Sequence, residues 1–192
     1  MVEGEPQNLR VLVADERRQY LEPVSAAVTE LGHEVIGHEV EIDRVGRTTL
    51  EHRPDVAIVA LHEDDDHALE LITEIVHGST CPVMALVHGA RRDFVAEAAR
   101  RGIFAYLDST DETELQGAID VAFQRFREYR KLLSAFRDRA RIERAKGILM
   151  ERHGLEDQEA FDRMRSEARS SRRKLLEVAE EVLASESKDG GD

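Results

Sequence analysis

The chain has little of the chemistry on which several classes of protein depend. Only one of its 192 residues, Cys81, is a cysteine, which excludes an internal disulfide framework and a metal site built from several thiolates. Tryptophan is absent and aromatic residues make up 5%, which argues against binding of single strands by stacking on aromatic rings. No apolar run reaches the length of a membrane span, and residues 1–7 are acidic rather than signal-like. We therefore expect a cytoplasmic protein that does not associate with membranes.

The charge of the chain is unevenly distributed. The net charge of −13 would by itself argue against a nucleic-acid partner. Residues 1–133, however, hold 14 Lys or Arg against 26 Asp or Glu, whereas residues 134–183 hold 12 against 11. An acidic body is therefore followed by a nearly neutral, arginine-rich module, on which a basic face could lie on one side.

Short apolar runs alternate with amphipathic stretches of helical length over the first two thirds of the chain. The runs predict strands at 11–14, 56–61, 83–87 and 104–107, with a weaker candidate at 35–40, and the stretches predict helices at 20–31, 69–76 and 94–101. Repeated strand and helix favours a parallel α/β sheet, whose sites lie beyond the carboxyl ends of the strands. The polar residues expected there are Asp15, Glu16, His62 and His88.

Four of these segments carry a resemblance to a known family. They are RVLVADE (10–16), PDVAIVA (54–60), PVMALV (82–87) and GIFAYL (102–107). With them, residues 9–118 resemble the receiver domain of two-component response regulators. The resemblance implies an α/β fold of the flavodoxin-like kind, a doubly wound parallel five-stranded sheet.

Receivers need an acidic pair that holds magnesium, an aspartate nucleophile ending the third strand, a hydroxyl ending the fourth and a lysine after the fifth. The acidic pair matches Asp15 and Glu16, but the other three positions hold Ala60, Val87 and Ser109. A methyl group cannot attack phosphorus, and without the lysine nothing fixes the phosphoryl charge. The resemblance therefore implies a pseudo-receiver, a fold kept with a degenerate phosphorylation pocket.

Each of three features near this pocket has two possible interpretations. Residues 64–66, all aspartate, are either substitute phosphate acceptors or a solvated acidic loop. His62, His67 and His88 either join nearby carboxylates as ligands of a divalent metal or are surface histidines. Tyr106 matches an aromatic that receivers use as a switch, or it is strand-end packing. No cofactor is predicted, and no metal site is assigned.

A helix without Gly or Pro is predicted from residue 119 to residue 143. Its apolar residues follow a heptad pattern, and charged residues fall outside it, which predicts a coiled-coil linker over 119–140 and a parallel dimer. In the alternative interpretation the same stripe packs against its own domain. The candidate dimer seam consists of Ile119, Phe126, Tyr129, Leu133 and Phe136.

Residues 141–184 contain three amphipathic patterns that can share one small core. The patterns are broken at His153–Gly154 and at Ser170–Ser171. Glycine suits the left-handed position after a helix, and the serines are expected to accept hydrogen bonds from the first amides of the next helix. The last residues, 185–192, are expected to be disordered.

Motifs of this module carry a second resemblance. They are IERAKGILM (142–150), GL (154–155), EAF (159–161), AR (168–169), KL (174–175), VA (178–179) and VL (182–183). With them the module is similar to the ANTAR domain of bacterial RNA-binding transcription antiterminators. Two residues depart from the pattern: Glu156 stands where a capping Ser or Thr is common, and Arg172 where Asn is frequent. The resemblance implies binding to paired small hairpins in nascent mRNA, one per module of a dimer.

The predicted RNA-binding residues combine these motifs with the charge pattern. Hydroxyls and cations gather around residues 170–174, where a helix N-terminus would also attract phosphate. The candidates are Ala145, Lys146, Gly147, Arg169, Ser171, Arg172, Arg173 and Lys174. For the cations the alternative is a solvated face, and for Ala145 it is helix packing.

The sequence thus predicts a non-enzymatic, dimeric RNA-binding antitermination regulator with a receiver domain that cannot be phosphorylated at the usual site. A partner protein or a small ligand would then supply the signal. The alternative is a ligand- or metal-sensing domain whose helical tail mediates protein contacts.

Overall fold

A computed structural model describes residues 8–15, 18–39, 41–61, 65–78, 81–87 and 92–189. The chain divides into two compact units, Met1–Glu128 and Tyr129–Asp192. In the described residues no helix is both long enough and apolar enough to cross a membrane.

The N-terminal unit is built on a five-stranded parallel sheet. Its strands are β1 (Arg10–Asp15), β2 (Glu34–Glu39), β3 (Val56–Leu61), β4 (Val83–Val87) and β5 (Ala105–Leu107), in the order β2-β1-β3-β4-β5. Every residue of β3 and β4 is buried, as continuous apolar runs covered on both faces should be. The sequence-based prediction of a doubly wound parallel sheet is confirmed.

Among the described residues, five helices begin in this unit and two more follow in the C-terminal unit. They are α1 (Arg18–Glu30), α2 (Ile42–His52), α3 (Asp65–Gly78), α4 (Arg92–Arg101), α5 (Glu112–His153), α6 (Asp157–Ser170) and α7 (Leu175–Asp189). The apolar pattern of the sequence does not predict α2, because only Val45 and Thr49 of this helix are buried and the pattern is therefore weak. It also expected disorder over 185–192, whereas α7 extends to Asp189.

Alternate residues of the strands point into two separate cores, one on each face of the sheet. Leu61 and Val87 belong to the core beneath α3 and α4. Ala60 and Leu86 belong to the opposite core, which α1 and the first part of α5 complete. The carboxyl ends of β1, β3 and β4 are therefore lined mainly by buried hydrocarbon.

The first part of α5 packs against its own domain. Leu115, Ile119 and Ala122 are fully buried in the core, and the Phe126 and Phe104 rings pack edge to face, with 5.2 Å between their centroids. The assignment of Ile119 to an intermolecular seam is wrong, because a side chain without exposed surface cannot contact a second chain. The alternative, in which the stripe packs on its own domain, holds for this part of the helix.

The C-terminal unit is a three-helix bundle formed by the end of α5 with α6 and α7. The first break lies where the sequence placed it, since α5 ends at His153 and Gly154 follows with φ of 63°. Each of the three helices contributes one apolar face to the bundle core. The buried residues of this core are Ala145, Leu149, Ala160, Met164, Ala168, Val178 and Ala179.

The burial of Ile119 predicts a change in stability. Ile119→Ala should lower the free energy of unfolding of the N-terminal unit by about 2–5 kcal/mol, because it leaves a cavity in a packed core. Val121→Ala, two residues away at a 47% exposed position, should change it by less than about 0.5 kcal/mol. Denaturant unfolding followed by circular dichroism measures both. Equal stability of the two variants would contradict the placement of Ile119 in the core.

Candidate nucleic-acid interface and degenerate receiver pocket

The pocket of the receiver-like unit holds one buried carboxylate beside hydrocarbon. Asp15 ends β1 without exposed surface, and in the sheet register it lies opposite Ala60. The Ala60 side chain belongs to the same core as Ile58 and Leu86. Glu16, the second acidic residue, lies outside the described residues. The position that needs a nucleophile is therefore a buried methyl group.

The two other substituted positions serve structural roles. Val87 is buried in the core on the opposite face of the sheet. The Ser109 hydroxyl accepts the Asp111 N–H at 2.9 Å, and the Asp111 carboxylate in turn accepts the N–H groups of Thr113 and Glu114. The Asp111 carboxylate thus satisfies free amides in the first turn of α5, and Ser109 supports the start of the helix by holding Asp111.

The described part of the chain contains no cluster of side chains that would support the interpretation of His62, His67 and His88 as metal ligands. There, no group of three or more His, Cys, Asp or Glu side chains lies close enough together to hold an ion. His62 and His88 lie outside the described residues, and His67 lies on α3. Of the three aspartates at 64–66, Asp64 is not described, whereas Asp65 and Asp66 belong to the first turn of α3 rather than to a loop. Tyr106 is 58% exposed.

In the C-terminal unit, the candidates on α5 serve different purposes. Ala145 has no exposed surface and packs in the bundle core, so its assignment as an RNA contact is wrong. Gly147 is exposed, and a Cβ built there would meet nothing within 4 Å. No packing contact within the unit therefore requires glycine at this position.

Lys146 joins two helices. Its ammonium Nζ lies 2.6 Å from Glu143 Oε2 and 2.7 Å from Asp157 Oδ1, and the side chain is only 12% exposed. Hydrogen bonds to Asp157 and Glu143 raise the pKa of Lys146 above its ordinary value. Because its charge is neutralised within the unit, Lys146 fixes the start of α6 on α5 and offers little to a phosphate.

Arg173 is also engaged within the unit. Its Nη1 donates to Glu181 Oε2 at 2.6 Å and its Nη2 donates to the Glu177 carbonyl at 3.1 Å. The Glu181 carboxylate raises the pKa of the guanidinium, with smaller contributions from the negative charges of Glu177 and Glu167. The Lys174 backbone N–H donates to Glu177 Oε2 at 3.2 Å. Arg173 therefore holds the first turns of α7, while the Lys174 side chain is exposed.

The serines end α6 instead of beginning α7. Ser170 and Ser171 both donate their hydroxyl protons to the Glu167 carbonyl, at 3.0 Å and 2.6 Å. The prediction that they accept amide protons from the next helix is wrong, since α7 begins only at Leu175. The hydroxyl of Ser171 is thus committed to a helix C-terminus, although the residue itself is exposed.

The end of α6 places an arginine in an unusual backbone conformation. Arg172 has φ of 55°, its N–H donates to the Arg169 carbonyl, and the next N–H donates to the Ala168 carbonyl. This pair of bonds is the Schellman arrangement, which usually has Gly or Asn at the left-handed position. The Asn frequent in the related pattern fits this backbone, and here Arg172 carries a cation at the same turn.

Three arginines near this turn have no ion-pair or hydrogen-bond partner for their side chains among the described residues. They are Arg165, Arg169 and Arg172, and all are exposed. Arg165 and Arg169 lie one turn apart, on the side of α6 opposite Arg163 and Glu167, which line a groove with Glu181. Arg165 is not among the RNA-binding residues predicted from the sequence, although its i, i+4 spacing from Arg169 places both on one face of α6.

The other departure from the related pattern is compensated locally. Glu156 precedes α6, and its backbone N–H donates to Glu159 Oε2 at 2.9 Å. This bond is half of a capping box and satisfies a donor at the helix start. The helix therefore begins at Asp157 without the common Ser or Thr.

Comparisons with known proteins agree with this division of the chain. A family model described as the ANTAR domain matches residues 130–183. The transcriptional regulatory protein PdtaR of Mycobacterium tuberculosis is 28% identical over 182 residues, which cover 91% of this chain and 89% of the relative.

Solved structures match the N-terminal part. The receiver domain of the putative response regulator NarL from Mycobacterium tuberculosis superposes with a TM-score of 0.51 at 20% identity, covering 59% of this chain and 94% of that domain. A response regulator receiver domain from Clostridium thermocellum gives 0.53 at 23% identity, covering 65% and 98%. At this identity the likeness shows the fold.

The Lys146 ion pairs predict a pH-dependent contribution to stability. A raised pKa in the folded state means that the contribution is complete below the unfolded value near 10.5 and is lost as the pH rises through the folded value. Lys146→Gln should therefore lower the melting temperature at neutral pH, and the difference from the unchanged protein should shrink in alkali.

Scanning calorimetry at several pH values measures this difference, with Lys174→Gln as the matched control at an exposed lysine. A difference between Lys146→Gln and the unchanged protein that stays constant through the alkaline range would contradict the role of the ammonium.

Proposed function

This chain carries an ANTAR domain behind a receiver-like domain, and from that premise we propose that it is an RNA-binding regulator of transcription antitermination. It binds paired small hairpins in nascent mRNA as a homodimer in the cytoplasm, so that a terminator does not form, and it catalyses no reaction of its own. The ANTAR match together with the arginines left open at the end of α6 carries this proposal.

The RNA contact is centred on Arg165, Arg169 and Arg172, with Lys174 beside them. Guanidinium groups bind phosphate with two parallel hydrogen bonds, and neutralised phosphates release counterions. Arginines already paired with carboxylates must break those pairs before they can do the same. The open set is therefore favoured over Lys146 and Arg173, whose charges are balanced within the bundle.

The dimer forms along the part of α5 that lies beyond the receiver core. Tyr129 and Phe136 are 47% and 73% exposed, and Leu133 lies between them in the heptad pattern. Apolar side chains at this spacing suit a second helix of the same pitch. The seam is therefore shorter than the sequence predicted.

The receiver-like unit senses a signal other than a phosphoryl group. Ala60 replaces the nucleophile, and Asp15, which lies opposite it in the sheet, matches the acidic pair and not the acceptor position. A partner protein or a small ligand at this unit would then bias the regulator.

Loss of the open arginines should weaken RNA binding. The triple variant Arg165→Ala, Arg169→Ala, Arg172→Ala should bind a target hairpin on the order of a hundredfold more weakly, with a salt dependence shallower by roughly two to three phosphate contacts. Gel shifts at matched salt measure both quantities. The triple variant Arg47→Ala, Arg92→Ala, Arg127→Ala makes the same change of charge on the N-terminal unit and should keep normal affinity. Equal losses in the two variants would reduce the effect to net charge and refute the site.

The degenerate pocket predicts no phosphorylation. Incubation with labelled acetyl phosphate should leave the chain unlabelled, because no carboxylate ends β3. A receiver domain with an intact pocket serves as the positive control. Stable label, traced by mass spectrometry to residues 64–66, would show that a substitute acceptor exists.

A further inference from the structure

The three open arginines of the C-terminal unit do not lie on the same kind of backbone. Arg165 and Arg169 are one turn apart within α6, whereas Arg172 lies in the turn beyond its end, with φ of 55°. A residue in the left-handed region directs its side chain differently from the helical residues that precede it. Arg172 therefore presents its guanidinium group apart from the row that the other two form.

Hydrogen bonds fix the turn from which the Arg172 side chain projects. Its own N–H donates to the Arg169 carbonyl at 3.3 Å, and the Arg173 N–H donates to the Ala168 carbonyl at 2.9 Å. The neighbouring side chains of Ser171 and Arg173 are both bonded to groups within the unit. A fixed attachment point favours recognition of one base edge, which demands a defined direction, over simple attraction of a phosphate.

The end of α6 also disfavours a phosphate group at this turn. The C-terminus of a helix carries the negative end of the helix dipole, and its influence is confined to the last turn. A phosphate beside Arg172 would meet this partial negative charge, whereas the edge of a neutral base would not. The side chains of Arg165 and Arg169 belong to helical residues and lean toward the helix N-terminus, so their guanidinium groups are directed away from this end.

Among the bases, guanine matches a guanidinium group best. Its O6 and N7 atoms are two neighbouring acceptors, and the planar fork of an arginine donates to both at once. The unstacked bases of RNA loops expose this edge to proteins. A guanine in a hairpin loop is therefore the base that suits an exposed arginine without a partner for its side chain among the described residues, as Arg172 is.

We propose that Arg172 selects the RNA by binding the O6 and N7 atoms of one guanine in the hairpin loop, while Arg165 and Arg169 hold phosphates. The inference rests on the proposed function, because it assigns the open arginines of that interface to two different tasks. Phosphate contacts set the position of the RNA and carry no sequence preference. The contact with the base then decides which hairpins are bound tightly.

A selection from one pool of RNA hairpins tests this division of tasks. The hairpins have a constant stem and a randomised loop, and the full chain is used either unchanged or as Arg172→Asn. The unchanged protein should enrich guanine at one loop position. Arg172→Asn should lose this preference by roughly tenfold to a hundredfold, because its side chain cannot donate to both acceptors.

Two control variants make the same chemical change elsewhere. Arg169→Asn removes an open arginine from α6 itself. Arg53→Asn removes an exposed arginine that also follows a helix in the left-handed conformation, with φ of 47°, in the N-terminal unit. Both should still select guanine. Asparagine suits the left-handed backbone, so Arg172→Asn should melt at a temperature no lower than the unchanged protein.

A change of one atom in the RNA separates recognition of the base from all other effects. Replacing the selected guanine by 7-deazaguanine removes the N7 acceptor and keeps the shape of the base. The replacement should weaken binding of the unchanged protein roughly tenfold and should leave the affinity of Arg172→Asn unaltered. Arg169→Asn should reduce the salt dependence of binding by about one phosphate contact, and Arg172→Asn should reduce it by clearly less.

Three results would overturn the proposal: an Arg172→Asn variant that still selects guanine, a 7-deazaguanine that weakens both proteins equally, or an Arg172→Asn variant that weakens all hairpins alike with the loss of one phosphate contact. In each of these cases the unchanged protein still binds hairpins, so the proposed function stands and only the assignment of Arg172 falls. If gel shifts show that the unchanged protein binds no hairpin of the pool, the proposed function falls and the assignment falls with it.

Discussion

Both units of the chain depend on the 42-residue helix α5, because each packs its hydrophobic core against apolar side chains of this helix. A helix buries one stripe at a time, and this one must serve two hydrophobic cores. Ile119 fills the core under the sheet, and Ala145 fills the core of the bundle. Between them, nothing in the described part of the chain covers the helix at Leu132 and Phe136, which are 71% and 73% exposed. Apolar side chains in such a place are stabilised only by something that covers them.

The cations of the C-terminal unit divide into those that pair with carboxylates of the same unit and those that do not. Carboxylates of α5, α6 and α7 neutralise Lys146 and Arg173 at 2.6–2.7 Å, and these pairs orient the helices. The cations at the end of α6 are left for an external anion. A nearly neutral module can therefore present a locally positive surface, because a phosphate group is attracted by the unpaired cations close to it and not by the net charge of the module.

The N-terminal unit has a receiver-like fold with hydrocarbon side chains at two positions of its pocket. Parallel strands need hydrocarbon on both faces, and Ala60 and Val87 supply it. Replacing a catalytic carboxylate by a methyl group removes the nucleophile and also removes the cost of burying a charge.

The sequence alone determined the sheet, the three-helix module and the break after His153, because these follow from the period of apolar residues and from glycine, which act locally. It did not determine which member of a periodic stripe is covered by its own chain: Ile119 and Phe136 share one pattern, yet one is buried and the other exposed. Nor did it distinguish the paired Arg173 from the unpaired Arg169. The spacing alone does not show that the Arg173 side chain reaches Glu181 on α7, eight residues further along the chain. Burial and ion pairing depend on how whole elements pack and on which side chains that packing brings together, so only the tertiary structure decides them.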